Sequence, residues 1–192
     1  MRTKTRQNES ALVCAARQGD KEALQLLLGR NWAWLKGLAY SIVGDANDVD
    51  DVLQDICVRV ISKIDTLREP ERFRPWLAIL ARRQALHHRQ QKTKRPILWD
   101  KELADRQCDE RAQPLLENME QKEQYEHVLK ALSSLPEKYR EVFILEYVRD
   151  LTYGQIAEIL DIPFTTVQIR LVRARRMILN KVSGNQNRAR KR

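Results

Sequence analysis

LTYGQIAEILDIPFTTVQIRLVRARRMI, residues 151–178, decides the fold of this chain, because it encodes two short helices separated by a tight turn. Thr152 and Gln155 have the spacing of a capping box, so a helix should begin there. Pro163 has no N–H to donate and disfavours helix at the preceding residue, so the chain should turn near Asp161. The buried face of the second helix is predicted to carry Val167, Leu171, Ala174 and Ile178, which recur at helical spacing. This order of signals predicts a helix-turn-helix.

The outward face of the second helix is predicted to contact DNA. That face carries Thr165, Gln168, Ile169, Val172, Arg173 and Arg176. In a helix-turn-helix, the N-terminal part of the second helix reaches base edges in the major groove. Glutamine suits adenine, arginine suits guanine or phosphate, and an apolar tip can meet a thymine methyl. The alternative is a surface helical hairpin whose arginines are simply solvated.

Composition points to a polyanionic partner. The 192 residues carry a formal net charge of +9 and the pI is near 9.7. Nucleic acid is favoured over a membrane, because no apolar run approaches the roughly 20 residues of a spanning helix. The short apolar run after the basic N-terminus does not resemble a secretory signal, so we expect a cytoplasmic protein. Cys14, Cys57 and Cys108 are far apart, which predicts reduced thiols acting mostly as small core residues, with no metal site and no cofactor.

The sequence pattern predicts helix along the rest of the chain. The predicted fold is therefore all-α, with two small helical domains joined by a linker, and the C-terminal domain contains the helix-turn-helix. A first helix is predicted over 9–28 with an interruption at Gly19-Asp20, a second over 32–43, and a third with its apolar face between Val49 and Ile64. The predicted domains are residues 1–92 and 119–182, the linker is 93–118, and 183–192 is predicted to be a basic disordered tail. Further helices are predicted near Tyr125–Leu132 and Tyr139–Tyr147.

The third helix carries an acidic outer face. Helix-dipole effects explain carboxylates in its first turn, but they do not explain Asp51, Gln54 and Asp55 deeper in the helix of a basic protein. Such a face could dock a basic partner surface, and the alternative is that it is merely solvated.

The helix after Pro75 combines apolar and basic residues. Phe73 and Trp76 are predicted to lie in the core, so Arg82, Arg83 and Arg89 are better candidates than the rings for contact with single-stranded nucleic acid.

Four stretches, taken in order, resemble the bacterial RNA polymerase sigma factors of the extracytoplasmic-function type. ALVCAARQGDKEAL resembles the opening helix of the family, DANDVDDVLQDICVRVISKI its polymerase-binding helix, and FRPWLAILARRQALHHRQ its promoter-melting helix. LSSLPEKYREVFILEYVRDLTYGQIAEILDIPFTTVQIRLVRARRMI resembles its promoter-binding domain. The resemblance covers nearly the whole chain.

The resemblance implies a transcription initiation factor that is not an enzyme and is a monomer when free. It would bind core RNA polymerase at the beta-prime clamp and the beta flap. Its other partners would be promoter DNA and an anti-sigma protein. The polymerase-binding residues would be Asp48, Asp51, Gln54, Asp55 and Arg59. The minus-ten element, with a flipped base near the 66–73 loop, would be contacted by Arg68, Arg72, Arg82, Arg83 and His87. The minus-thirty-five element would be contacted by Thr165, Thr166, Gln168, Ile169, Arg170, Val172 and Arg173.

The chain departs from the common family pattern at several positions, and two other functions compete with this one. Arg83 and His87 stand where the family commonly has Asn and Asp, and Cys57 replaces a common Phe. Residues 165, 168 and 169 also differ, from which we infer an altered promoter sequence. One competing function is a stand-alone regulator, which would not need the acidic face. The other is a magnesium-diphosphate enzyme suggested by Asp50-Asp51-x-x-x-Asp55, which lacks the second acidic cluster that such a site requires.

Overall fold

Wherever the structure describes the chain, its regular structure is helical, which confirms the all-α prediction. The computed structural model describes the backbone of residues 2–94, 135–148 and 151–189. In those ranges the helices are α1 (Arg2–Arg17), α2 (Lys21–Val43), α3 (Ala46–Lys63), α4 (Phe73–Lys94), α5 (Glu137–Tyr147), α6 (Tyr153–Leu160) and α7 (Phe164–Ala189). Two short 3-10 segments, Ile64–Thr66 and Pro70–Arg72, connect α3 to α4.

The predicted interruption at Gly19-Asp20 is a full break between α1 and α2, whereas the break predicted between residues 28 and 32 is absent, so that part of the prediction was wrong. Gly19 adopts φ 93° and ends the first helix, and the Asp20 side chain accepts the Ala23 N–H at 3.0 Å to start the second. A glycine in the left-handed region followed by an N-cap is a strong local break. No such break follows near residue 30, and buried Asn31 donates back to the Leu27 carbonyl inside a continuous helix.

Helices α2, α3 and α4 build the N-terminal core. The buried face of α3 carries Val49, Val52, Leu53, Ile56 and Val60, as its periodicity predicts. Phe73 is also buried, whereas Trp76 is only partly buried against the core. The predicted inward face of α3 is therefore confirmed, and its opposite face remains available for contacts.

Helices α5, α6 and α7 form the C-terminal core and contain the predicted helix-turn-helix. Thr152 and Gln155 make the predicted capping box, with the Thr hydroxyl oxygen accepting the Gln155 N–H at 3.2 Å. Asp161 ends α6 in the left-handed region at φ 55°. Val167, Leu171 and Ala174 are buried, so the second helix turns its opposite face outward.

The two cores also touch each other. Helix α5 packs against α2, and α6 packs against α4. The helix-turn-helix therefore lies beside the N-terminal helices, which both α5 and α6 contact.

Several other predictions concern the ends of these units. Helix α7 continues to Ala189, so the disordered tail predicted from residue 183 was wrong over 183–189; no proline follows Pro163 to end the helix. The predicted linker begins where α4 ends, but most of it lies outside the described residues, as does the helix predicted near Tyr125–Leu132.

The cysteines only partly match their predicted role. Cys14 is an exposed thiol, so its placement in the core was wrong, and Cys57 is half-buried. Burial raises the pKa of the Cys57 thiol, which favours the neutral form. Cys108 lies outside the described residues.

Candidate nucleic-acid interface

Helix α7 presents its predicted DNA-contacting residues on the open side of the helix-turn-helix. Thr165, Gln168, Ile169, Val172 and Arg173 are all exposed. Ile169 and Val172 stand out, because they are apolar and yet 51% and 63% exposed. Apolar side chains beside a glutamine and an arginine suit contact with thymine methyls and base edges.

Polar contacts hold this helix in place from behind. Arg175 forms an ion pair with Glu146 of α5, and the Tyr153 hydroxyl donates to the same carboxylate at 3.0 Å. Arg173 hydrogen-bonds Tyr139 of α5, which lowers the pKa of the Tyr139 hydroxyl. Arg175 therefore has a structural role, because it holds α7 against α5, and Tyr139 of α5 orients the Arg173 side chain.

Two members of the predicted minus-thirty-five set are less accessible than the others. Thr166 and Arg170 are half-buried. Arg170 lines a cleft between α7, α5 and the N-terminal helix α4. In this arrangement Arg170 is therefore less exposed than Gln168 and Arg173.

Helix α3 presents an exposed face that is both acidic and apolar. Asp51, Gln54, Asp55 and Arg59 are exposed, as the polymerase-binding prediction requires. Val58 and Ile61 are 59% and 60% exposed, and their spacing from Asp51 and Gln54 places all four on one side of the helix. The sequence analysis missed these two residues, although their position outside the buried repeat was a readable signal.

Asp48 differs from the rest of that set because basic residues of α4 engage its carboxylate. Its carboxylate lies 2.6 Å from Lys92 Nζ and 3.8 Å from His88 Nε2, both on α4. The hydrogen bond to Asp48 raises the pKa of Lys92. Asp48 thus ties α3 to α4 and is only half exposed.

Helix α4 and the loop before it hold two groups of basic residues. Arg68, Arg72, Arg83 and His87 of the predicted minus-ten set are exposed. Arg82, which belongs to the same predicted set, is turned toward α5, where its Nε lies 3.0 Å from Glu141 Oε2. Seven residues further along, Arg89 Nη1 lies 2.6 Å from Glu137 Oε1. The helix therefore has one open basic side and one side engaged by the C-terminal unit.

The cleft at this junction measures about 470 Å³. Its lining includes Arg82, Glu137, Lys138, Glu141, Leu160 and Arg170. Burial raises the pKa of Glu141, and the Arg82 guanidinium opposes that rise. One arginine from each predicted DNA surface, Arg82 and Arg170, thus faces the same cleft.

The described residues also bear on the competing hypotheses. They contain no cluster of three His, Cys, Asp or Glu side chains arranged to hold a metal ion. Among them, no helix has the length and apolar character required to cross a membrane. Asp51 and Asp55, the residues of the diphosphate-motif hypothesis, lie on an exposed helix face.

Two family models match the chain in the order that the fold suggests. Residues 27–95 match "Sigma-70 region 2", and residues 125–178 match "Sigma-70, region 4". The first match covers the acidic helix and α4, and the second contains the helix-turn-helix.

Relatives match over almost the full chain. The chain is similar to the ECF RNA polymerase sigma-E factor of Haemophilus influenzae, with 32% identity over 91% of this chain and 95% of that protein. It is 30% identical to the corresponding factor of Escherichia coli K12, over 91% and 94%.

Solved structures share the fold. CnrH in complex with the cytosolic domain of CnrY matches with a TM-score of 0.60 and 22% identity, over 92% of this chain and 98% of that one. The sigma factor RpoE in complex with the anti-sigma factor NepR from Bartonella quintana matches with a TM-score of 0.55 and 19% identity, over 78% and 89%.

Proposed function

The chain belongs to the extracytoplasmic-function sigma factors of bacterial RNA polymerase, and we propose that its helices divide promoter recognition between an acidic face and two basic ones. As a sigma factor, it binds core RNA polymerase and directs transcription initiation at promoters. The residue assignments that follow rest on exposure, charge and position in the described helices.

Helix α3 docks core RNA polymerase at the beta-prime clamp. The contact uses Asp51, Gln54, Asp55 and Arg59, with Val58 and Ile61 adding apolar area. Acidic residues attract and orient a basic partner surface, while the burial of apolar side chains adds affinity. Asp48 contributes mainly by holding α3 against α4, since Lys92 engages its carboxylate.

The open basic side of α4 and the loop before it contact the minus-ten element. Arg68, Arg72, Arg83 and His87 are exposed there, and Arg82 joins them when it is released from Glu141. Phe73 is fully buried, so base stacking on its ring is excluded in this fold. Capture of a base outside the stack near the 66–73 loop would favour strand opening, because binding the extruded state offsets the cost of unstacking.

The minus-thirty-five element is read by α7 in the major groove. Thr165, Gln168, Ile169, Val172 and Arg173 offer base contacts, with Thr166 and Arg170 beside them. These side chains determine which minus-thirty-five DNA sequence is recognised. That sequence differs from the one recognised by family members with other residues at 165, 168 and 169.

The protein acts by binding and not by catalysis. It works in the cytoplasm as a monomer until it joins the polymerase, and its C-terminal unit also contacts the beta flap. An anti-sigma protein is a further partner, as NepR is for the sigma factor RpoE of Bartonella quintana. Promoter choice would then depend on release from that partner.

One observation favours an initiation factor over a stand-alone regulator. Asp51 and Asp55 are exposed on the same side of a helix that a repressor or activator would not need. The test is a pull-down with core RNA polymerase, followed by transcription from a fragmented genomic library with and without the protein. Stable association with new, discrete start sites is expected. Binding to duplex DNA without polymerase association would instead assign the chain to the stand-alone regulators.

A further inference from the structure

Two ion pairs join the N-terminal unit to the C-terminal unit. Arg82 and Arg89 of α4 meet Glu141 and Glu137 of α5, at 3.0 Å and 2.6 Å. The Arg82–Glu141 pair is well covered, with side chains 24% and 8% exposed. We call these four residues the interdomain latch.

The latch is anchored on both sides. Arg89 also donates to the Ile42 carbonyl at 3.2 Å, which fixes its side chain against the end of α2. Glu137 and Glu141 are one turn apart on α5, so a single helix presents both carboxylates. The packing of α5 against α2 and of α6 against α4 accompanies the ion pairs.

The latch occupies a residue that the proposed function assigns to nucleic acid. A carboxylate and a phosphate both bind the fork of an arginine through charge-assisted hydrogen bonds, so Glu141 competes for the group that a DNA backbone would use. Arg170 of the recognition helix lines the same cleft and is only half exposed. In this closed arrangement, one cation from each DNA-contacting surface is withdrawn.

We propose that Glu137 and Glu141 hold the free protein in a self-inhibited closed form, in which they cover Arg82 and Arg89 of the promoter-melting helix until the two units separate. This inference rests on the proposed function for its consequence on DNA, but the closed form itself is a property of the free chain. Closure and binding of single-stranded DNA are therefore mutually exclusive uses of Arg82, and each opposes the other by linkage.

The test compares the full chain with the variant Glu137→Gln/Glu141→Gln. Small-angle scattering of the free protein measures its radius of gyration, and fluorescence anisotropy measures binding of a single-stranded oligonucleotide carrying the minus-ten element. The variant is expected to have a larger radius of gyration and to bind the oligonucleotide roughly tenfold more tightly. Glu22→Gln/Glu158→Gln is the control, because it removes the same charge from two exposed positions.

A charge swap keeps the test decisive if the glutamine variant folds poorly. Arg82→Glu/Glu141→Arg restores an opposite pair, so it should keep the radius of gyration of the unmodified chain. Only scattering is used for this variant, because the substitution also removes the Arg82 charge that is assigned to DNA. The latch would be overturned by a glutamine variant that folds normally and matches the control variant in both radius of gyration and oligonucleotide affinity. Opening without any gain in DNA affinity would leave the latch standing and refute the nucleic-acid role of Arg82.

Discussion

The exposed faces of α3 and α7 are built alike but carry opposite charge. Each displays two apolar β-branched side chains, Val58 and Ile61 on α3, and Ile169 and Val172 on α7. On α3 these lie near Asp51 and Asp55, whereas on α7 they lie beside Gln168 and Arg173.

We propose that this difference in charge separates the two binding functions of the protein. Apolar surface supplies contact area to either partner, whereas the sign of the charge decides whether that partner is a basic protein surface or DNA. The comparison predicts that reversing charge on one face should affect one partner and spare the other.

Charge reversal on α3 should produce the largest effect. Asp51→Arg/Asp55→Arg is expected to lower affinity for core RNA polymerase by about a hundredfold or more, because like charges placed across an interface cost several kcal/mol. Both residues are exposed, so the helical circular dichroism spectrum and the melting temperature should change little. The affinity is measured by fluorescence anisotropy with labelled protein.

A matched control makes this result specific to the face. Glu22→Arg/Glu158→Arg introduces the same charge change at exposed positions outside α3, so its affinity for polymerase should stay close to that of the unmodified chain. Unchanged polymerase binding by the Asp51/Asp55 variant would refute the docking role of α3.

Much of this comparison could be predicted from sequence, because local patterns determine helix faces. The capping box at Thr152, the turn at Asp161 and the apolar repeat through Val167 are short-range signals. They correctly predicted the start of α6, its end and the buried face of α7. The exposure of Asp51 and Asp55 followed from the same repeat, since they lie opposite the buried positions of α3.

The features that the sequence analysis missed depend on residues far apart in the chain. The pairing of Arg82 with Glu141 joins positions 59 residues apart, and no local pattern encodes it. Asp48 was placed with Asp51 in the polymerase-binding set that the resemblance implies, but Lys92 of another helix engages its carboxylate. Val58 and Ile61 lie outside the buried repeat of α3, and the pattern of charges on its outer face does not by itself indicate exposed apolar residues.

The recognition helix should give the next largest effect. Arg173→Ala is expected to weaken binding to the cognate promoter by about 1–3 kcal/mol if the side chain makes a good base contact. Arg176→Ala, one turn further from the start of α7, should weaken binding to all sequences alike and reduce the salt dependence by about one phosphate contact. Duplexes with and without the minus-thirty-five element, titrated at several salt concentrations, distinguish the two outcomes. An equal loss on every sequence would assign Arg173 to phosphate as well.

Removing the apolar part of the α3 face should give the smallest effect and sharpen the comparison most. Val58→Ala/Ile61→Ala keeps the charges and removes methyl and methylene groups that are already exposed, so stability should change by less than about 0.5 kcal/mol. If the polymerase covers these side chains, the variant should lose about 1–2 kcal/mol of binding, in line with the apolar area removed. Leu26→Ala is the control, because Leu26 is 52% exposed on α2, away from this face. Equal affinities of the two variants for polymerase would mean that charge alone determines docking; a loss confined to Val58→Ala/Ile61→Ala would make the apolar residues part of the interface.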